Sequence, residues 1–181
     1  MNKRYVLVDL DGTISDDRCR RERFPDQKPG ISLALNYTDW ENYFRGMVED
    51  PFINRWIVNR NDGCKVIITT SRPERYRNET VAWLRKHNIK YSCLLMRRPY
   101  DYKTSPEVKA EMIRTIVSIL NIAKCDIVAA YDDRADVIEM FRNEGIIAVH
   151  IAPPQDDEVK EKTPSARAKR TPRMRAGKVE R

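Results

Sequence analysis

Apolar residues gather along the chain in five short runs, and the segments between most of them have helical spacing. The runs are apolar at consecutive positions and rich in β-branched residues, which is typical of strands buried on both faces. In order, they are RYVLVDL, CKVIITT, YSCLLM, DIVAAY and IIAVHI. The segments with apolar positions three and four apart predict helices; they are TDWENYF, PFINRWIVNRND, YRNETVAWLRKHN, SPEVKAEMIRTIVSIL and RADVIEMFRNEG.

This alternation of strands and helices predicts the fold class. We expect an α/β domain with a Rossmann-like parallel sheet of about five strands and helices on both faces. Residues 14–38 have no clear period and predict a long loop or flap. Because little chain remains between the first two strands, we expect a small cap or none. Pro153 and Pro154 follow the fifth run, so the domain is predicted to span residues 1–154 and a tail residues 155–181.

Charge is distributed unevenly between these two parts. The net charge is +7, and residues 163–181 alone hold seven Lys or Arg and one acidic residue. This segment is poor in apolar residues, so we expect a disordered tail. It either only aids solubility or acts as an electrostatic arm for nucleic acid.

Four widely spaced cysteines and no long apolar stretch favour a cytosolic protein with reduced thiols and no membrane span.

Polar residues that can carry chemistry follow the predicted strands. In a parallel sheet covered by helices, ligands bind outside the carboxyl ends of the strands, so residues at these ends should converge. The candidates are Asp9 and Asp11 after the first strand, Thr70, Ser71 and Arg72 after the second, Asp132, Asp133 and Arg134 after the fourth, and Lys109 just inside the helix after the third.

This set predicts a site for Mg²⁺ and phosphate. Neighbouring carboxylates repel one another unless they are ion-paired, share a proton or hold a metal, and Mg²⁺ prefers such oxygens. The carboxylate of Asp9 can attack phosphorus, and Asp11 can protonate the leaving oxygen and later deprotonate water. Thr70 and Lys109 can hold the phosphoryl oxygens. The expected metal ligands are Asp9, Asp11, Asp132 and Asp133.

Four motifs in order resemble the haloacid dehalogenase superfamily of phosphohydrolases. They are DLDGT, the threonine that ends VIITT, the helical Lys109 and YDDR. Longer stretches are similar to the 3′-phosphatase domain of bacteriophage polynucleotide kinase/phosphatase; they are TTSRPERYRNETVAWLRKHNI, MRRPYDYKTSPEVKAEMI and YDDRADVIEMFRNEGI. The resemblance adds Arg20 to the predicted substrate-binding residues, beside Thr70, Ser71, Arg72, Lys109 and Arg134. Ser71 stands where that group has glycine, and Ser105 where it often has aspartate.

The resemblance implies a Mg²⁺-dependent phosphatase that removes the 3′-phosphate from a DNA or RNA end, in end repair. Two alternatives stay open. One is a nucleotidase that acts on free mononucleotides. The other is a module that binds nucleic acid without catalysing a reaction, although the intact Asp9 and Asp11 count against it. The sequence predicts no oligomeric state.

Overall fold

The computed structural model of the chain describes residues 3–23, 37–60 and 62–152. The predicted tail, residues 155–181, lies outside these ranges, and so does part of the predicted flap. Among the helices that the structure describes, none combines the length and the apolar character needed to cross a bilayer.

Five parallel strands form the single sheet of the described residues, in the order β3-β2-β1-β4-β5. This arrangement confirms the predicted fold class, and each of the five apolar runs supplies one strand. The strands are β1 (Tyr5–Val8), β2 (Lys65–Pro73), β3 (Cys93–Arg97), β4 (Ile127–Asp132) and β5 (Ala148–His150).

In the described part of the chain, five α-helices accompany the strands: α1 (Arg18–Arg23), α2 (Tyr37–Arg45), α3 (Arg77–Lys86), α4 (Ser105–Leu120) and α5 (Ala135–Asn143). The start of α4 shows how the local sequence fixes such an element. The backbone N–H of Thr104 donates to Glu107 Oε2 at 2.8 Å, and Pro106 occupies the first turn, where its missing N–H is not needed.

Helices cover both faces of the sheet, which is why the central strand β1 is apolar at every position. Val6 and Val8 of β1 face one cluster, which includes Trp83 of α3. Tyr5 and Leu7 face the other cluster, which is completed by residues of α4 and α5. Successive strand residues point to opposite faces, so both sets are buried. The packed sheet positions the polar residues at the carboxyl ends of β1, β2 and β4.

The segment between β1 and β2 differs from its prediction in two ways. The stretch PFINRWIVNRND does not form the predicted helix: only Arg55–Ile57 form a short 3₁₀ turn. Asn54 adopts a left-handed φ of 47°, and the N–H of Ile53 donates to the carbonyl of Ile14 at 3.0 Å, so tertiary hydrogen bonding overrides the helical spacing. The predicted flap, in contrast, contains α1.

Candidate active site

Asp9 and Asp132 are brought together because β1 and β4 are neighbours in the sheet. The N–H of Asp9 donates to the carbonyl of Tyr131 at 3.0 Å, which extends the ladder one residue beyond β1. Both carboxylates are buried at the carboxyl edge of the sheet. Asp133 follows directly, and one oxygen from each of Asp9, Asp132 and Asp133 lies within 4.8 Å of the others.

A single lysine connects two of these acids. Lys109 of α4 is fully buried, and its Nζ donates to Asp9 Oδ1 at 2.6 Å and also to Asp132 Oδ2. Burial alone would lower the pKa of Lys109, but the carboxylates of Asp132 and Asp9 outweigh it and raise that pKa. Lys109 therefore stays charged. We call Asp9, Asp132, Asp133 and Lys109 the acidic half of the site.

The acidic half carries more negative than positive charge. Burial raises the pKa of Asp9 well above its usual range, and Lys109 offsets this only in part. Burial and the neighbouring Asp132 raise the pKa of Asp133 to about 6. Arg21 makes only a long contact with Asp133, with 3.4 Å between Nη2 and Oδ2. Three clustered carboxylate oxygens with this unmet charge suit a small hard cation such as Mg²⁺.

Gly12 makes room for this cluster. It has a φ of +75°, and a Cβ built on it would lie 2.3 Å from Asp133 Oδ2. Any larger residue would both strain the backbone and push the carboxylate away. The glycine of DLDGT thus lets the loop after β1 turn directly beneath the acid that follows β4.

Asp11 lies in a second, different cluster. Arg72 donates to both of its oxygens, from Nε to Oδ2 and from Nη2 to Oδ1, each at 2.8 Å. Arg20 also donates to Asp11 Oδ1, and its Nε reaches Asp50 Oδ1 at 2.8 Å. We call Asp11, Asp50, Arg20 and Arg72 the arginine half. It contains two acids and two bases, so its formal charge is zero.

The arginine half is held firmly in place. Arg72 is 1% exposed, and its Nη1 lies 2.9 Å from Met47 Sδ. The guanidinium of Arg20 lies over the ring of Tyr43, 4.4 Å from its centroid. Burial alone would raise the pKa of Asp11, but Arg72 and Arg20 together hold it well below its usual range. Asp11 is therefore ionised in this arrangement.

The remaining predicted residues divide between the site and its surroundings. Thr70 is buried, and its Oγ1 accepts from the N–H of Arg72 at 3.2 Å. Ser71 Oγ is buried and has no hydrogen-bond partner among the described residues. The guanidinium of Arg134, however, donates to Asp136, with Nε–Oδ1 at 3.0 Å, and only its backbone N–H reaches Asp132 Oδ1, also at 3.0 Å.

Two of the predicted side chains lie apart from the three clustered carboxylates. The oxygens of Asp11 are engaged by Arg72 and Arg20, and its role as a metal ligand stays a prediction. The guanidinium of Arg134 bonds Asp136, and its contact with phosphate likewise stays a prediction.

Sequence reasoning missed Asp50, Ser15 and Arg21. Ser15 Oγ donates to Asp50 Oδ2 at 2.7 Å, and Arg21 contacts Asp17 and Asp133. No spacing rule relates these positions to the motifs. The only available signal for Asp50 was charge balance, because two buried arginines need two carboxylates.

Fold and site together define the class of protein. The sheet is all-parallel and places DLDGT after β1 opposite an acidic pair at the end of β4, with the lysine of α4 between them. This is the arrangement of the haloacid dehalogenase superfamily. Within that superfamily the family is also established. The chain belongs to the polynucleotide kinase PNKP phosphatase domain family, whose model matches residues 3–155.

Solved structures share the fold of this chain. A chain of the Pnkp1/Rnl/Hen1 RNA repair complex has a TM-score of 0.62 at 23% identity, covering 85% of this chain and 44% of its own length. The present chain thus spans less than half of that protein. A haloacid dehalogenase-like protein from Streptococcus pneumoniae has a TM-score of 0.57 at 15% identity, covering 82% and 84%.

A haloacid dehalogenase family enzyme from Bacteroides thetaiotaomicron, solved as a magnesium complex, has a TM-score of 0.50 at 12% identity and covers 87% and 98%. No curated protein sequence matches this chain.

Proposed function

We propose that this chain is a Mg²⁺-dependent phosphomonoesterase that removes the 3′-phosphate from the end of a DNA or RNA strand. The observation that carries the proposal is the buried Asp9, which lies beside two further acids and Lys109 at the edge of the sheet. The family match supports a phosphatase of polynucleotides. The similar fold in an RNA repair complex is consistent with an end-repair role.

Asp9 is the nucleophile in this proposal. Its carboxylate attacks phosphorus, so a new O–P bond forms while the bond from phosphorus to the leaving 3′-oxygen breaks. Lys109 holds Asp9 Oδ1 at 2.6 Å and orients the carboxylate for this attack. Asp9, Asp132 and Asp133 would hold Mg²⁺, which supplies positive charge to offset these acids and the phosphate.

Asp11 moves the proton. It gives a proton to the leaving 3′-oxygen and later takes one from the water that hydrolyses the aspartyl-phosphate. In the described arrangement its pKa is held low by Arg72 and Arg20. Phosphate oxygens that compete for these two arginines would weaken their hold on Asp11 and raise its pKa, so that Asp11 takes up a proton from solvent before it gives one to the leaving oxygen.

The phosphoryl oxygens need hydrogen-bond donors. Thr70 and Ser71 lie at the end of β2, next to β1 in the sheet, and Ser71 Oγ lacks a partner among the residues described. Together with Arg20 and Arg72 they supply hydroxyl and guanidinium donors for a group whose charge shifts during reaction.

A substrate panel tests this proposal. Wild type and Asp9→Asn are assayed with Mg²⁺ on 3′- and 5′-phosphorylated oligonucleotides of both sugars, on free mononucleotides and on p-nitrophenyl phosphate. We expect kcat/KM to be highest for a 3′-phosphorylated strand. We also expect Asp9→Asn to lose several orders of magnitude on every substrate, because an amide is a poor nucleophile.

Faster turnover of mononucleotides than of any strand would instead make the chain a nucleotidase. Wild type with no turnover of any substrate would leave only nucleic-acid binding.

A further inference from the structure

The loop between β3 and α4 exposes two aromatic rings. Tyr100 is 88% exposed and Tyr102 is 74% exposed, the two highest values among the large apolar side chains of the described residues. Neither ring contributes to either side of the sheet. Packing therefore does not account for aromatic residues at these positions.

Tyr100 also has an unfavourable backbone conformation. Its φ is +58°, in the left-handed region that β-carbons disfavour. The other three non-glycine residues with positive φ in the described ranges are all asparagine, which tolerates this region best. An exposed tyrosine in such a strained backbone conformation is typical of functional loops.

Buried Arg97 fixes the shape of the loop and ties it to the candidate site. Its Nε donates to the carbonyl of Ser71 at 3.1 Å, and its Nη1 donates to the carbonyls of Asp101 at 3.2 Å and Lys103 at 2.6 Å. One side chain thus connects the loop to the end of β2, where Thr70 and Ser71 lie. The loop that carries the two rings is consequently adjacent to the end of β2.

The loop has the charge expected of a surface that faces phosphates. Residues 97–104 contain three basic residues and one acid. Arg98 and Lys103 are exposed; Lys103 pairs with Glu111 of α4, whereas no described residue forms an ion pair with Arg98. Exposed aromatic rings interleaved with basic side chains are the common means of binding single-stranded nucleic acid without sequence preference.

We propose that Tyr100 and Tyr102 form a stacking platform for unpaired bases next to the 3′ end whose phosphate enters the site. This inference rests on the proposed function and extends it, because it explains preference for a strand over a mononucleotide. A base has a flat face that a tyrosine ring can cover, while the hydroxyl and guanidinium donors of the site hold the terminal phosphate.

The test uses variants that remove the rings without disturbing the loop. Tyr100→Asn introduces the residue type that the other left-handed positions carry, and Tyr102→Ser removes the second ring. Tyr100→Phe and Tyr102→Phe keep the stacking faces. Tyr91→Ser is the matched control, since Tyr91 is also exposed but precedes β3 at the opposite edge of the sheet.

We expect the Tyr100→Asn/Tyr102→Ser double variant to raise KM for a single-stranded 3′-phosphorylated oligonucleotide by about tenfold or more, the range that loss of base stacking gives. The Phe variants and Tyr91→Ser should leave it unchanged, and so should p-nitrophenyl phosphate as substrate for every variant. A 2-aminopurine next to the 3′ end should lose fluorescence on binding wild type and keep it with the double variant.

The outcomes separate the platform from the proposed function. Wild type that turns over 3′-phosphorylated strands, with a double variant of equal KM, overturns the platform alone. Wild type that hydrolyses p-nitrophenyl phosphate but no 3′-phosphorylated strand overturns the proposed function, and the platform with it.

Discussion

The two halves of the site treat buried charge in opposite ways. In the arginine half, Asp11 and Asp50 are matched by Arg20 and Arg72, and every carboxylate has a close guanidinium. In the acidic half, three carboxylates share Lys109 and a distant Arg21. Burial acts on both halves alike. Burial raises the pKa of Asp50 in the arginine half and of Asp9 and Asp133 in the acidic half. In Asp11, however, Arg72 and Arg20 together outweigh burial and hold the pKa low.

This difference indicates a division of labour. The balanced arginine half needs no ligand and fixes the position of Asp11 and the end of β2. The acidic half is under mutual repulsion, which a bound cation would relieve. In the proposed function, the arginine half positions the substrate and the acidic half is stabilised by the bound cation.

Asp11→Asn is expected to have the largest effect on the reaction rate, because it removes the proposed acid from the arginine half. We expect phosphorylation of the enzyme to slow by ~10²–10⁴-fold with an alkyl phosphate, because general acid catalysis typically contributes that much. Single-turnover rates measure this step. With p-nitrophenyl phosphate the loss should be much smaller, since that leaving group needs no proton. Equal losses for both substrates would remove Asp11 from the acid role.

Arg72→Met should destabilise the fold itself. It leaves Asp11 and Asp50 with one arginine between them, and breaking a buried ion pair costs about 3–5 kcal/mol. Urea unfolding should show this loss equally with and without Mg²⁺, because the arginine half does not depend on the cation. Recovery of wild-type stability in Mg²⁺ would contradict the separation into two halves.

Asp133→Asn, in contrast, should stabilise the metal-free protein. Removing one of three clustered carboxylates relieves repulsion, so the metal-free protein should melt a few degrees higher, given about 2–4 °C per kcal/mol for a chain of this size. Mg²⁺ should raise the Tm of wild type and have much less effect on the variant. Differential scanning fluorimetry with Mg²⁺ or EDTA measures both. A lower Tm without metal would show that Asp133 is not repelled by its neighbours.

Lower pH should mimic that substitution in wild type. The pKa of Asp133 is raised to about 6 in the folded chain, so its protonated form is favoured there and stability is gained as pH falls through 6. The metal-free Tm of wild type should therefore rise between pH 7.5 and 5.5 relative to that of Asp133→Asn, whose position 133 does not titrate. Parallel curves for the two proteins would exclude this effect.

Elements whose residues carry a local signal were predictable. The five strands and most helices follow from apolar spacing, and Asp9, Asp132 and Lys109 follow from their places at strand ends and in α4. The structure of the segment that follows Asp50 was not predictable, because Ile53 is bound to Ile14 by a backbone hydrogen bond that helical spacing cannot reveal. The pairing of Asp11 with Arg20 and Arg72 could not be predicted for a related reason, because the two arginines come from other parts of the chain.

The central position of β1 in the sheet has a consequence for the folding of the domain during its synthesis. As synthesis proceeds, β1 emerges before both of its neighbours, β2 and β4, and Asp9 lies 100 residues from Lys109 along the chain. Contacts of such long sequence separation form slowly, and a partly made chain exposes unpaired strand edges. Asp9 thus leaves the ribosome before its partners and meets the last of them only after Asp133 has emerged, whereas Asp11 can meet Arg20 and Arg72 once β2 has been made. A chain stalled before that point carries the DLDGT motif and no working site.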